Sequence, residues 1–372
     1  MIYMNIFVNA TGAEIGGLYT IVDQFLMEIR NHDIRKQYYV FVSNNKFDRH
    51  QSENVKIIKV DAKKWHKRFI WDAYGMRKWV RANFIYPDKI ISLQNTPVKF
   101  NKKIPQLIYL HTSIPFVPYN WNIRSKTERK MWFYKNIYPF FIKLFLNRNC
   151  EIIVQANWLQ KAVSSFLEVP KERIHVIRPN VNISIDEFKG YTIENSKKKK
   201  VYFYPAIDYI YKNHIALLQA LELIKEQDHR AYKDIKLIFT VGKESWIYKE
   251  ACKLGVEGCI EFIGQVDFKD VLRYYSSSDV ILFPSYIETF GLPLIEAAYF
   301  NKTIICADEE YAREVLATYN GVDYVPSKNI EGWVEAILSS FYKSGDSYNF
   351  KYEVKEDPWK NFFDVVCYGE GK

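Results

Sequence analysis

Twice along this chain, apolar runs of strand length alternate with longer stretches of helical period, and a polar interruption separates the two series. Such alternation dictates parallel sheets covered by helices, because a connection between parallel strands needs a dozen or more residues and a helix supplies them most simply. In the first series the expected strands are residues 5–9, 38–43, 55–60, 89–93, 106–110 and 151–155, and the expected helices 18–31, 72–83, 125–147 and 158–167. The second series has strands at 201–204, 235–241, 259–263, 280–283 and 303–307, with helices at 214–227, 245–254, 269–276, 292–300 and 330–340. Between them, residues 182–200 are polar and end in four lysines. A chain of 372 residues exceeds one ordinary core. The expectation is two doubly wound α/β domains, 1–181 and 201–355, joined by a linker at 182–200, with residues 356–372 crossing back to the first domain.

Composition narrows the classes of function. Five cysteines without a C-x-x-C pair or a disulfide-rich framework fit reduced thiols. No apolar run of about 18 residues and no basic leader before an apolar stretch occurs, so a cytoplasmic protein is expected. The net charge of +9 is uneven, with 29 Lys+Arg against 13 Asp+Glu in residues 1–180 and 23 against 30 in the rest. A basic half calls for anionic company. Nucleic acid is not the expected partner, because the cations are spread over helices and loops without a recognisable binding motif. The stretch 121–150 is basic and aromatic with Glu128 as its single acid, which suits peripheral contact with an anionic membrane surface. Its aromatics also suit the inner face of a helix bent at Pro139.

Ligands in doubly wound sheets sit beyond the carboxyl ends of the strands, so chemistry belongs in the loops that follow them. The richest such loop lies between Phe283 and Phe300, F-P-S-Y-I-E-T-F-G-L-P-L-I-E-A-A-Y-F. A strand ends at Phe283, a loop carries Glu288, and a helix opens near Leu292 with Pro293 in its first turn, where a missing N–H costs nothing. Backbone donors at Phe290, Gly291 and Leu292 then make a pyrophosphate cradle with the positive end of the helix. Glu288 before the helix and Glu296 within it bracket that cradle, one suited to sugar hydroxyls and the other to ribose hydroxyls. After the first strand of the second domain, Lys212 and Asn213 occupy a loop position fit for a phosphate-facing cation. In the first domain, Gly16-Gly17 allows close backbone approach at a helix start, and His111 stands directly after a strand. The chain has no D-x-D, no H-E-x-x-H and no Cys/His cluster of ligand spacing, so no metal is expected.

Taken together, Pro284-Ser285, the E-x7-E pair, Phe290-Gly291-Leu292 and the strand at 303–307 resemble the family 4 retaining glycosyltransferases of the GT-B fold. The resemblance extends to Gly264-Gln265-Val266, residues 274–280 and residues 313–316. It implies two Rossmann-like domains facing across a cleft, and transfer of a sugar from a UDP- or GDP-linked donor to an acceptor hydroxyl with retention of configuration. By the same resemblance, His111 stands near the donor sugar, Gly16-Gly17 faces the diphosphate, and Gly264 and Val266 contact the base, while Glu288 holds the sugar and Lys212 the diphosphate. A glycan acceptor, polyprenyl-diphosphate-linked, and a role in bacterial capsule or O-antigen synthesis are also implied, with no cofactor beyond the nucleotide sugar. One departure stands out. Pro205-Ala206 occupies the place of the family's Gly-Arg pair, which leaves one cation missing and makes Lys243, beside Gly242, its candidate replacement. Two alternatives share the fold, a nucleotide-sugar epimerase and a non-catalytic nucleotide-sugar-binding partner.

Overall fold

The computed structural model describes residues 4–14, 16–181, 183–188, 191, 199–343, 348, 350, 352 and 357–367. It divides into two compact units, Met1–Asn180 with Val354–Lys372, and Val181–Glu353. The chain order in the first unit is β1 (Asn5–Asn9), α1 (Gly16–His32), β2 (Gln37–Val42), β3 (Val55–Lys59), α2 (Trp65–Ile70), α3 (Met76–Asn83), β4 (Lys89–Ser92), β5 (Gln106–Tyr109), α4 (Arg129–Asn136), α5 (Tyr138–Leu144), β6 (Cys150–Val154), α6 (Asn157–Leu167) and β7 (Ile174–Val176). All seven strands are parallel, in the order β3-β2-β1-β4-β5-β6-β7. The residues of β4 and β5 are buried throughout, as two-sided coverage by helices demands.

The second unit runs β8 (Lys200–Tyr204), α7 (His214–Gln227), α8 (His229–Asp234), β9 (Ile235–Phe239), α9 (Trp246–Lys253), β10 (Ile260–Phe262), α10 (Phe268–Ser277), β11 (Val280–Phe283), α11 (Leu292–Tyr299), β12 (Thr303–Ala307), α12 (Glu310–Val315), β13 (Val322–Val325) and α13 (Ile330–Tyr342). Its sheet is parallel in the order β10-β9-β8-β11-β12-β13. With flanking helices on both sheets, this is the GT-B class of architecture. Much of the expected linker, residues 182, 189, 190 and 192–198, lies outside the described residues, but Ile185–Phe188 forms a 3-10 turn whose Phe188 packs near Phe300 with ring centres 6.3 Å apart.

Two departures from the sequence expectations have physical causes. The helix expected at 125–147 is two helices, α4 and α5, with Ile137 between them. Pro139 falls in the first turn of α5, where it starts a helix instead of merely bending one. The helix expected at 72–83 begins at Trp65 and passes through a π-helical turn, Trp71–Gly75. A Cβ on Gly75 would lie 2.4 Å from Cε3 of Trp71, so the bare glycine lets that indole lie against its own backbone. The last helix, α14 (Pro358–Cys367), belongs to the first unit: Phe362, Phe363 and Val366 enter the core beside β1 and α1. The Phe363 ring stacks on Phe25 at 5.6 Å, and the buried Lys89 ammonium bonds the Val365 carbonyl at 3.1 Å and that of Val366, capping the end of α14 with a cation. Of residues 356–372, those at 356 and 368–372 are outside the described set.

Candidate functional site

In the second sheet the strand order reverses between β8 and β11, because the chain winds from β8 through β9 to β10 on one side and from β11 through β12 to β13 on the other. The crevice beyond two such strands is where doubly wound sheets bind ligands. The loop after β8 delivers Lys212 and the loop after β11 delivers Glu288, and Lys212 Nζ lies 2.5 Å from Glu288 Oε1. Both side chains are about 15% exposed, deep enough for the pair to be shielded and open enough to meet a ligand.

The loops are held from beneath. The Tyr204 hydroxyl donates to the Lys212 carbonyl at 2.6 Å, and Asn213, left-handed at φ 56°, donates to the carbonyls of Ser327 at 2.8 Å and Pro284 at 3.3 Å. Tyr311 donates to the Ser285 carbonyl at 2.5 Å. Gly291 precedes α11 at φ 95°, and a Cβ there would stand 3.0 Å from the Tyr311 ring, so only glycine turns the chain into this helix without strain. Phe290 is buried and Leu292 partly exposed. Among the described residues, no acceptor takes the N–H groups of Phe290, Gly291 or Leu292.

Glu296 sits one turn into α11 and is 9% exposed. Burial pushes its carboxyl up to about 7, with the Tyr275 hydroxyl pulling the other way. Gly264 takes φ 74° after β10, with open space where a Cβ would stand, and Val266 is half-buried. Lys243 is exposed with its ammonium 5.9 Å from the Tyr248 ring centre. Ala206 is buried, its carbonyl accepting from Thr240 at 3.3 Å. No group of three or more His, Cys, Asp or Glu side chains among the described residues is placed to hold a metal ion.

A model of the glycosyl transferases group 1 family matches residues 184–356. This segment belongs to the glycosyl transferases group 1. The group 1 segment contains Lys212, Asn213, Gly264, Val266, Glu288, Phe290, Gly291, Leu292 and Glu296. Among curated proteins, the chain is similar to the O-antigen chain mannosyltransferase RfbU of Salmonella typhimurium, 23% identical over 249 residues, covering 64% of this chain and 65% of RfbU. It is also 25% identical over 208 residues to an uncharacterized glycosyltransferase of Methanocaldococcus jannaschii, covering 52% of each. The matches thus span less than two thirds of the length of these curated relatives. Among solved structures, it resembles WaaG, a glycosyltransferase involved in lipopolysaccharide biosynthesis, at TM-score 0.65 and 15% identity with 91% of each chain covered. It also resembles Anabaena HepE in complex with UDP and glucose, at TM-score 0.60 and 15% identity, covering 91% of this chain and 90% of that one.

Outside the group 1 segment, Gly16 and Gly17 open α1, and a Cβ on Gly17 would meet nothing within 4 Å, so packing does not require glycine there. His111 follows β5 and is half-buried. Asn95 Oδ1 accepts the His111 backbone N–H at 2.7 Å, which turns Asn95 Nδ2 toward His111 Nε2 at 3.3 Å. Nε2 is then the acceptor and Nδ1 carries the proton. Burial holds the imidazole down to about 4, so His111 is a neutral group at physiological pH. Trp158 is buried in α6. Asn95 was not legible as its partner, although Gln94-Asn95-Thr96 directly follows an expected strand. Tyr204 and Tyr311, which anchor the Lys212 and Glu288 loops, carry no motif that would have marked them.

Proposed function

We propose that this chain is a retaining glycosyltransferase that moves a hexose from a UDP- or GDP-linked donor to an acceptor hydroxyl in bacterial cell-surface polysaccharide synthesis, without a cofactor or metal ion. The observation that carries this is the Lys212–Glu288 pair at the β8/β11 crevice, beside unclaimed backbone amides at the start of α11. A diphosphate arriving there would accept from those amides and draw the Lys212 ammonium from Glu288, freeing the carboxylate for the hydroxyls of the sugar. Charge developing on the leaving diphosphate is met by fixed donors, which is electrostatic catalysis. Neutral His111, placed near the donor sugar by the resemblance alone, would contact that sugar. A thermal-shift screen of UDP-, GDP- and ADP-sugars tests donor binding, since a ligand of the folded state raises stability with the logarithm of its concentration. The absence of any shift from all three would sink the assignment.

The two acids should separate in kinetics. Glu296→Ala is expected to weaken free-nucleotide binding, because its carboxylate would accept from ribose hydroxyls, and Glu288→Ala to slow transfer at saturating donor. Since a carboxylate and not a carboxylic acid accepts both hydroxyls, wild-type nucleotide affinity should fall as pH drops through about 7, and this dependence should vanish in Glu296→Ala. Equal affinity loss in both variants with wild-type turnover would show the roles to be misassigned.

The acceptor partner we propose is a glycan on a polyprenyl diphosphate, met at an anionic membrane surface from the cytoplasmic side. No helix among the described residues is long and apolar enough to cross a membrane. Phe141 packs inward against Trp65 and Phe69, but Ile137, Phe140 and Leu144, spaced three and four apart, form an exposed apolar stripe. The stripe is bordered by exposed Lys143 on the most basic part of the chain. Co-sedimentation should therefore show weak binding to anionic vesicles that falls with salt. Full recovery in the supernatant with anionic and neutral vesicles, at low and high salt, would leave the stripe without a membrane role.

A further inference from the structure

Glu288 lies midway along a short loop, three residues after Ser285 and three before Gly291. One side chain from outside the loop reaches both of those ends. Tyr311, in α12 after the neighbouring strand β12, is buried. Its hydroxyl donates to the Ser285 carbonyl at 2.5 Å. Its Cδ2 would stand 3.0 Å from a Cβ on Gly291, so the ring lies against the bare glycine. Phe283 backs that ring edge-on, with centres 6.5 Å apart.

The other ties of this loop run to the Lys212 side of the site. The Tyr286 N–H donates to the Tyr211 carbonyl at 3.1 Å, and the hydroxyl of buried Ser285 donates to the carbonyls of Ile287 at 3.1 Å and Tyr211 at 3.4 Å. These bonds fix the first half of the loop to its neighbour. Tyr311 adds what they lack, a single rigid ring that meets the loop where it leaves β11 and again where it enters α11. Burial first, and then the charge of Glu288, push the Tyr311 hydroxyl well above its ordinary value, so it keeps its proton and acts as a donor.

Packing alone does not call for a tyrosine, because phenylalanine would fill the same space. What the hydroxyl adds is a fixed distance between the Ser285 carbonyl and the ring that Gly291 rests on. Such precision matters for an acid that must meet sugar hydroxyls, since a misplacement of about 1 Å can cost about a hundred-fold in rate. We propose that Tyr311 is a positioning residue for Glu288: it clamps both ends of the 285–291 loop and so sets where the carboxylate meets the donor sugar. The effect on rate rests on the transfer reaction proposed above; the clamp itself does not.

The test sets Tyr311→Phe, Glu288→Ala and their double variant beside Tyr202→Phe, all in the full chain. Tyr202 supplies the comparison because its buried hydroxyl, also in the second unit, bonds the Ile337 carbonyl at 3.1 Å and the Ser340 hydroxyl at 3.0 Å, away from the Glu288 loop. Hydrogen exchange of the amides at 286–291 should quicken roughly five-fold in Tyr311→Phe, the weight of one hydrogen bond, and stay unchanged in Tyr202→Phe. At saturating donor, kcat should fall roughly ten-fold in Tyr311→Phe, while calorimetric affinity for free UDP or GDP stays within about two-fold. Tyr202→Phe should leave kcat unchanged. Once Glu288 is alanine, Tyr311→Phe should lower kcat no further, because a clamp acts only through the residue it holds. Unaltered exchange at 286–291, or a Tyr311→Phe effect that persists in full without Glu288, would overturn the proposal. Quickened exchange in a chain that transfers no sugar would uphold the clamp and overturn the glycosyltransferase reading instead.

Discussion

Lys212→Ala is expected to lower kcat/KM for the nucleotide-sugar donor by roughly 30- to 150-fold, the equivalent of about 2 to 3 kcal/mol of transition-state stabilisation for a charged donor in a cleft. Two effects add. The diphosphate loses a shielded ammonium, and Glu288 loses the partner that holds it 2.5 Å away in the unliganded arrangement. The substitution should act mainly on turnover, because charge on the diphosphate grows as the glycosidic bond breaks and the lost interaction is strongest at that point. The lost lysine has no ready substitute, since Ala206 fills the position of the family's arginine and Lys243 rests near Tyr248. Steady-state kinetics with the preferred donor measure the effect, and an unchanged rate constant removes Lys212 from the site.

Phe363→Ala should destabilise the first unit by about 3 to 5 kcal/mol, the usual cost of deleting a buried aromatic ring. Phe363 is 3% exposed and lies between Phe25, stacked at 5.6 Å, and His32, stacked at 5.6 Å. The cavity cannot collapse cheaply, because Phe25 also packs on Phe362 at 5.6 Å and on Tyr38 at 6.0 Å. For a unit of this size such a loss lowers its melting transition by roughly 6 to 20 °C. Differential scanning calorimetry should show that transition moving while the transition raised by nucleotide keeps its shift. If instead the nucleotide-sensitive transition moves and the other does not, α14 stabilises the second unit and its docking on α1 is misplaced.

The buried strands were legible because their signal is local: runs such as Val280–Phe283 and Thr303–Ala307 are apolar, bounded by turn residues and too short for helices, and the structure places both strands at those bounds. Two edge strands, Ile174–Val176 and Val322–Val325, were not. Val322–Val325 at the end of the second sheet is four residues long and carries exposed Asp323, so the run is too short for a strand period to show. The helix expected at 72–83 shows a deeper limit, since a π-helical turn leaves the apolar rhythm of 65–83 almost intact and shifts only which side chains face inward. Asp72, at the start of that expected helix, is a carboxyl that burial pushes up to about 7. In the group 1 segment, the loops that carry Lys212, Asn213 and Glu288 were legible because they follow apolar strand runs ended by Pro205 and Pro284. The tyrosines beneath those loops act through contacts between residues distant in sequence, which one chain read in order does not display.

The first sheet is not finished by its own seven strands. Phe25, on α1, faces Phe362 and Phe363, which are encoded after all of Val181–Glu353. During synthesis from the N-terminus, the ribosome therefore delivers the whole second unit while the earlier one still presents an oily groove to the cell. At about 5 to 20 residues per second that interval lasts on the order of ten to forty seconds. A groove exposed for so long invites a chaperone or a second nascent chain, so the later-made unit is the one free to fold first, and truncating or slowing the end of translation should send the earlier unit toward aggregation.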